Sequence, residues 1–280
     1  MRTLNVGQIR ETVRRLVQET NVSLGDDVLA ALRQSLAEER SPLARDILEK
    51  IEQNIEIAAQ EGIPLCQDTG LACVFLEVGQ DVHLTGGGLY DAVNEGIRLG
   101  YDEGFLRKSV VGDPINRVNT KDNTPGHIHV DIVPGDKVKV TVAPKGFGSE
   151  NMSRIRMLPP SAGVEGVKDF VLQVVREAGG NPCPPVVLGI GIGGTFDGVA
   201  LLAKKALLLP LDHQNEDPYY AALEEELLAA INKLDVGPQG FGGDTTCLGL
   251  NILTAPTHIA GLPVAVNVNC HVSRHREAIL

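Results

Sequence analysis

Tryptophan is absent from this chain, and all aromatic residues together make up only 4% of its 280 residues. Single-stranded nucleic acids are bound by stacking bases on aromatic faces, and phosphate backbones are followed by an excess of Lys and Arg. Here 36 acidic residues outnumber 25 basic ones, for a formal net charge of -11. No nucleic-acid partner is therefore expected. No apolar run approaches the roughly 20 residues that cross a bilayer. The N-terminus also lacks the apolar stretch and small-residue cleavage site of a signal peptide, so the expectation is a cytoplasmic protein with no membrane partner. Cysteine is scarce as well: five residues, an odd number, with no Cys-x-x-Cys pair. That excludes a disulfide framework and leaves the thiols to structural or chemical roles. What is present is ordinary for a folded protein. Hydrophobic residues reach 43% and charged residues 22%, which excludes disorder. The length allows one large domain or two fused ones.

Periodicity predicts helices through the first sixty residues. Ile9, Val13, Leu16 and Val17 share a face, Ile47, Ile51 and Ile55 recur every four residues, Ser41-Pro42 starts a third helix and Gly62 ends it. Ala72, Val74, Leu76 and Val78 alternate as in a half-buried strand, and a helix carrying Val93 and Ile97 follows Gly86-Gly87-Gly88. The polar stretch from Asp113 to Pro125 reads as a long surface loop, a length that tends to be functional. Ile128, Val130 and Ile132 lead through Pro134-Gly135-Asp136 into Val138, Val140 and Val142, a predicted hairpin. A helix is expected from about Ser161 to Ala178, a buried strand from Val186 to Ile192, and helices from about Phe196 and from Asp217-Pro218. Two short strands close the chain, near Leu248 to Leu253 and Val264 to Val268. The fold class is α/β, with mixed sheets, flanking helices and a helical N-terminal region. Residues 1–280 form one unit, with room for two lobes.

Gly189-Ile190-Gly191-Ile192-Gly193-Gly194 is a literal G-x-G-x-x-G after a strand and before a helix, with Asp212 eighteen residues beyond. It matches a dinucleotide fingerprint and supports an NAD-binding oxidoreductase as a rival reading. Its late position in the chain leaves too few residues to complete such a sheet, and a Gly-rich turn with close backbone packing is preferred. The cysteines divide by neighbourhood. Cys73 lies inside a strand and Cys247 starts one, as small buried hydrophobes do. Cys66, Cys183 and Cys270 instead sit at turns or strand ends, in Cys66-Gln67-Asp68, Pro182-Cys183-Pro184-Pro185 and Asn269-Cys270-His271. Any one of them taken singly reads as an inert core thiol. Three thiolates with no fourth would leave one iron of a [4Fe–4S] cluster open, the arrangement that Lewis-acid catalysis requires.

Several segments carry a resemblance: Pro64-Leu65-Cys66-Gln67-Asp68-Thr69-Gly70, Asn119-Thr120, Lys145-Gly146-Phe147-Gly148-Ser149, Cys183-Pro184-Pro185, Gly193-Gly194-Thr195, and Cys270 four residues before Arg274. In order and approximate spacing, from about residue 10 to the C-terminus, the chain resembles the iron–sulfur class I fumarate hydratases and the related L-tartrate dehydratases. The resemblance implies that Cys66, Cys183 and Cys270 hold a [4Fe–4S] cluster with one iron not ligated by protein. It further implies that Gln67 and Asp68 face the substrate, that Arg107 binds a substrate carboxylate, that the Gly148 N–H donates to the substrate, and that His258 is an active-site histidine. Asp68 is the candidate for proton transfer, with Gln67 and His258 orienting a dicarboxylate. His127 and His129 have no counterpart and stay with the hairpin. Phe147 departs from the family's usual Gly-Gly-Gly-Ser loop.

In this family a second lobe is fused in some members and a separate subunit in others. The chain resembles the free-standing α subunit, which implies a separate β subunit in an α2β2 hetero-oligomer. The expected activity is hydro-lyase: fumarate hydratase first, interconverting fumarate and L-malate in the tricarboxylic acid cycle, and L-tartrate dehydratase as the alternative.

Overall fold

The computed structural model describes residues 2–280. In chain order the elements are β1 (Arg2–Asn5), α1 (Val6–Val22), α2 (Asp26–Glu38), α3 (Pro42–Glu61), β2 (Leu71–Gly79), β3 (Val82–Thr85) and α4 (Leu89–Glu103). They continue with β4 (His127–Val133), β5 (Val138–Lys145), the single turn α5 (Phe147–Glu150), β6 (Arg154–Leu158), α6 (Gly163–Ala178), β7 (Val186–Gly193) and α7 (Phe196–Ala206). Last come α8 (Pro218–Asn232), β8 (Cys247–Ala255), β9 (Leu262–Asn269) and β10 (Arg276–Ile279). The class is mixed α/β with a helical N-terminal region, as the periodicity predicts. Helix starts follow capping chemistry. The Asn5 side chain accepts from Gly7 N at the head of α1, Thr195 from Gly198 N at α7, and Asp217 from Tyr219 N at α8, where Pro218 fills the first helical position. No helix among the described residues is long and apolar enough to cross a membrane.

Two compact units make up the chain. The first comprises residues 1–24, 55–147 and 274–280, and the second residues 25–54 and 148–273. In the first, a four-stranded sheet runs β10-β5-β2-β4 beside a two-stranded parallel pair, β1-β3. Ile9, Val13, Leu16 and Val17 of α1 join Val93 and Ile97 of α4 against Val74, Leu76, Val140 and Val142. The predicted hairpin does not form: β2 lies between β4 and β5, parallel to one and antiparallel to the other. The reason is burial. β2 is buried along most of its length on both faces, including Cys73 and Phe75, so it is not the half-buried strand that alternation suggested; it takes the centre and leaves β4 at the edge.

The second unit's sheet runs β6-β9-β7-β8, with β7 parallel to β8 and antiparallel to β9. Leu188, Ile190 and Ile192 face α6 and α8, packing with Val167, Val171, Leu227 and Ile231. The alternate residues of β7 include Gly189 and Gly191, and α7 lies on that side. A Cβ on Gly189 would stand 2.0 Å from the Ala203 carbonyl oxygen, and one on Gly191 2.4 Å from that of Val199. The close backbone packing expected of the G-x-G is therefore present, but its first two glycines are inside a strand and not in a turn, and what needs them is the closeness of a helix. The four strands that periodicity missed, β1, β3, β6 and β10, have only four or five residues each. That is too short to display a period of two.

Candidate active site

In the first unit the chain leaves α3 at Gly62 and runs through Cys66 to Gly70 into β2. Contacts within the loop and from several other parts of the unit hold it in place. Leu65 N donates to the Asn21 carbonyl at 2.8 Å. Asp68 N donates to Cys66 Sγ at 3.4 Å, and Gln67 Oε1 lies 3.2 Å from the same sulfur. Both oxygens of the Asp68 carboxylate accept from the backbone, Oδ1 from Gly70 N at 3.0 Å and Oδ2 from Phe147 N at 2.9 Å. The Asp68 carbonyl accepts from Arg274 Nη2 at 3.0 Å, while the same nitrogen reaches Asn21 Oδ1 at 3.1 Å. Beneath the loop the Tyr101 hydroxyl lies 2.8 Å and 2.9 Å from the Thr69 and Gly70 carbonyl oxygens, and burial raises that phenol's pKa well above its usual range.

Arg107 joins this loop through its main chain. Its N–H donates to Thr69 Oγ1 at 2.9 Å and its carbonyl accepts from the same hydroxyl at 3.3 Å, which leaves an exposed guanidinium on a fixed backbone beside Asp68. The buried Asn123 closes the arrangement. Its Oδ1 accepts from Ser109 N and Val110 N, and its Nδ2 donates to the Gly70 carbonyl. The 113–125 stretch is thus the loop expected from its composition, and Asn123 ties it down together with Asn119 and Thr120, which bond to the Lys108 and Val110 carbonyls.

In the second unit the turns that carry two cysteines lie at one end of a sheet. Cys183 lies three residues before β7, exposed, with φ +55. Cys270 directly follows β9, whose register pairs Asn269 with Val187, so its turn stands beside the start of β7. His271 Nδ1 lies 2.9 Å from the Cys183 carbonyl oxygen. The Cys270 turn is closed by Asn269 Nδ2 donating to Ser273 Oγ at 3.1 Å. Gly148 is exposed at the single turn α5, where an added Cβ would meet only the Asn181 carbonyl oxygen at 3.7 Å.

His258 is elsewhere. It follows β8, with Nδ1 accepting from Ala260 N at 3.1 Å, at the end of the sheet where β7 and β8 finish together. It lines a cavity of about 460 Å³ with Thr195, Leu202, Lys205 and Thr257. The eight residues of β7 separate it from the Cys183 and Cys270 turns by roughly 25 Å, at about 3.3 Å per residue. The twelve residues between His258 and Cys270 are spent on the whole length of β9. The histidine at the thiol end is His271, which sequence reasoning passed over, as it did Gln239. The signal for Gln239 was its setting, Gly237-Pro238-Gln239-Gly240, a glycine-rich turn in which it takes φ +54.

Among the described residues, no three His, Cys, Asp or Glu side chains stand together as a ligand set. The donor chemistry nevertheless fits a thiolate-held cluster. None of the five cysteines is in a disulfide, and they divide as their neighbourhoods predict: Cys66 and Cys270 are half-buried and Cys183 exposed, whereas Cys73 and Cys247 are buried. Burial pushes the Cys247 thiol up to about 12, which keeps it protonated and unsuited to a metal.

Residues 10–279 match the family model described as "Fumarate hydratase (Fumerase)", and the chain belongs to this family of iron–sulfur hydro-lyases. A Methanocaldococcus jannaschii protein provisionally named L(+)-tartrate dehydratase subunit alpha is 40% identical over 273 residues, covering 95% of each chain. The L(+)-tartrate dehydratase subunit alpha of Escherichia coli UTI89 is 32% identical, covering 96% of this chain and 89% of its own.

Proposed function

We propose that this chain is the α subunit of a [4Fe–4S] hydro-lyase that interconverts fumarate and L-malate, with Cys66, Cys183 and Cys270 as the cluster's protein ligands. One observation carries the reading. The first proposed ligand, a carboxylate suited to proton transfer and an exposed guanidinium belong to one braced loop system, through Cys66, Asp68 and the Thr69–Arg107 hydrogen bonds. Adding water to fumarate requires a proton at one alkene carbon, hydroxide at the other, and two carboxylates held still. The chemistry a cluster would bring is Lewis acidity at the iron that no thiolate reaches, directed at the substrate's hydroxyl and one carboxylate.

The other tasks fall to this chain's residues. Arg107 clamps the second carboxylate in bidentate fashion, and the Gly148 N–H donates to the substrate. Gln67, exposed beside Cys66, orients it. Asp68 moves the proton: each of its oxygens accepts one backbone N–H and retains a second lone pair for a transferred proton. His258 is kept as an orienting residue only if a second chain or a rearrangement carries it to the thiol end.

A separate β subunit in an α2β2 assembly belongs to the same reading. Its support is that the curated relatives are named as alpha subunits. Those names also favour a second substrate, L-tartrate, which loses water by the same chemistry. The test is anaerobic co-purification with the partner subunit and assay on both diacids. Turnover of fumarate well above that of L-tartrate supports the first reading, the reverse supports the second, and turnover of neither sinks the proposal.

A further inference from the structure

The two thiol turns of the second unit are joined by side chains that carry no sulfur. His271 Nδ1 lies 2.9 Å from the Cys183 carbonyl oxygen, and because His271 directly follows Cys270, that one contact spans both turns. A ring nitrogen at this distance from a carbonyl must carry the proton, which fixes the tautomer with Nδ1–H as donor. The next carbonyl, that of Pro184, accepts twice from one residue: from Gln239 N at 2.8 Å and from Gln239 Nε2 at 3.0 Å. Gln239 Nε2 also comes within 3.4 Å of His271 Nδ1, so the three turns around Cys183, Gln239 and His271 meet at one point. From these contacts we infer that Gln239 and His271 are positioning residues that hold the Cys183 and Cys270 turns in place for a cluster. This rests on the proposed function, in which both cysteines are ligands.

Cys183 needs such bracing. It is exposed, it lies outside regular structure, and its φ of +55 belongs to a region that non-glycine residues enter at a cost. A thiol on an unbraced turn of that kind would be ordered only when metal binds, and the ordering cost would weaken binding. Two donors to Pro184 and one to Cys183 fix the backbone on which that sulfur is mounted. Asn269 and Ser273 do the same for the Cys270 turn from its two ends. Neither Gln239 nor His271 is assigned contact with substrate, so neither is a catalytic residue. Partners behind metal ligands that set their orientation are worth about 10- to 100-fold in metal affinity.

The test uses the full chain reconstituted anaerobically with Fe²⁺ and sulfide. Iron and sulfide per chain are measured, together with the rate of iron release to a chelator and the melting temperature of the metal-free protein. Gln239→Glu keeps size and shape but turns an acceptor toward the Pro184 carbonyl; His271→Ala removes the ring, and His271→Asn keeps a donor where Nδ1 stood. Gln239→Glu and His271→Ala are expected to release iron about 10- to 100-fold faster at an unchanged metal-free melting temperature, with His271→Asn close to the parent. Parental release rates in both Gln239→Glu and His271→Ala, in a protein where Cys183→Ser abolishes loading, overturn the positioning role and leave the ligands standing. Faster release that tracks a fall in melting temperature equally in His271→Asn and His271→Ala reduces the pair to ordinary struts and also overturns it. Parental iron loading in Cys183→Ser overturns the ligand assignment, and the positioning role falls with it.

Discussion

The main-chain N–H of Phe147 donates to Asp68 Oδ2 at 2.9 Å, across 79 residues of sequence. One acidic side chain thereby joins the Cys66 loop to the glycine-bearing turn after β5, while its other oxygen caps Gly70 N. Asp68→Asn keeps the shape but offers only one acceptor oxygen for two N–H donors. Hydro-lyase activity of the complete enzyme is expected to fall about 100-fold or more, the usual worth of a general acid–base group, with iron content unchanged. Amide hydrogen exchange at Phe147 should speed up in the same variant. A loss of less than about threefold in turnover would remove Asp68 from the proton-transfer role.

The cysteines should separate into two groups by iron and by reactivity. Replacing Cys66, Cys183 or Cys270 by Ser is expected to abolish iron loading, and Cys73→Ser and Cys247→Ser to preserve it. In the metal-free protein, an alkylating reagent at neutral pH should modify the exposed Cys183 and spare buried Cys73 and Cys247. Cys247 adds a pH dependence. Its folded pKa of about 12 lies above the ordinary thiol value of 9.0, so its contribution to stability is complete below pH 9 and is lost as pH rises toward 12. Cys247→Ala should flatten that alkaline limb of the stability curve. Iron loss in Cys73→Ser or Cys247→Ser with retention at the other three would reverse the assignment.

Gly189 and Gly191 test what the glycine-rich strand is for. Alanine at either position places a methyl group inside the contact with the Ala203 or Val199 carbonyl, and overpacking of this kind costs about 1–3 kcal/mol. Urea midpoints of both variants should fall, and nicotinamide dinucleotides should not bind the parent. Saturable NAD binding that Gly191→Ala removes without a loss of stability would restore the dinucleotide reading.

Much of the fold was legible because its long elements bury one continuous face. The stripe Ile9, Val13, Leu16 and Val17 and the all-apolar β7 specify a helix and a central strand with no knowledge of their neighbours. Strand pairing was not legible. Nothing in the sequence of β4 and β5 reveals that β2 enters between them, since adjacency in a sheet depends on which strand has most surface to bury. The candidate site divides the same way. The chemical character of Cys66, Cys183 and Cys270 could be read from turn residues around them, and the burial of Cys73 and Cys247 from their strands. Distance could not be read: His258 is close to Cys270 in sequence and a full strand away in space, whereas His271, Gln239 and Asn123 act through hydrogen bonds to distant carbonyls and amides that no local pattern encodes.

Arg107 offers a cation whose backbone Thr69 fixes from both sides. Arg107→Lys keeps the charge but replaces a planar fork by a single point, and the lost bidentate contact should raise KM for the diacid about tenfold or more. Thr69→Val, which removes the hydroxyl and keeps the volume, should raise KM in the same direction by letting the Arg107 backbone drift. An unchanged KM in Arg107→Lys would place the substrate carboxylate elsewhere.

Turnover should depend on a second subunit, and the argument starts from charge. A diacid carries two negative charges, and the formal net charge of -11 on this chain repels it at long range. Around Asp68 the cations are largely committed: Arg274 is buried and holds Asn21 and the Asp68 carbonyl, Lys108 pairs with Asp102 at 3.2 Å, and Lys145 is buried with Nζ 3.4 Å from the Gly146 carbonyl oxygen. Arg107 can compensate one carboxylate. The remaining positive charge, together with an acid–base group opposite Asp68, is expected from the β subunit, which on docking would also exclude water and so strengthen each charge contact. Positioning and electrostatic contributions are each worth several kcal/mol, so mixing the purified chain with its partner should raise kcat/KM by at least about 100-fold. Size-exclusion chromatography with mass spectrometry establishes which chains are present in each assay. Full hydratase activity from a preparation containing only these 280 residues would show that the positive charges for both carboxylates come from this chain.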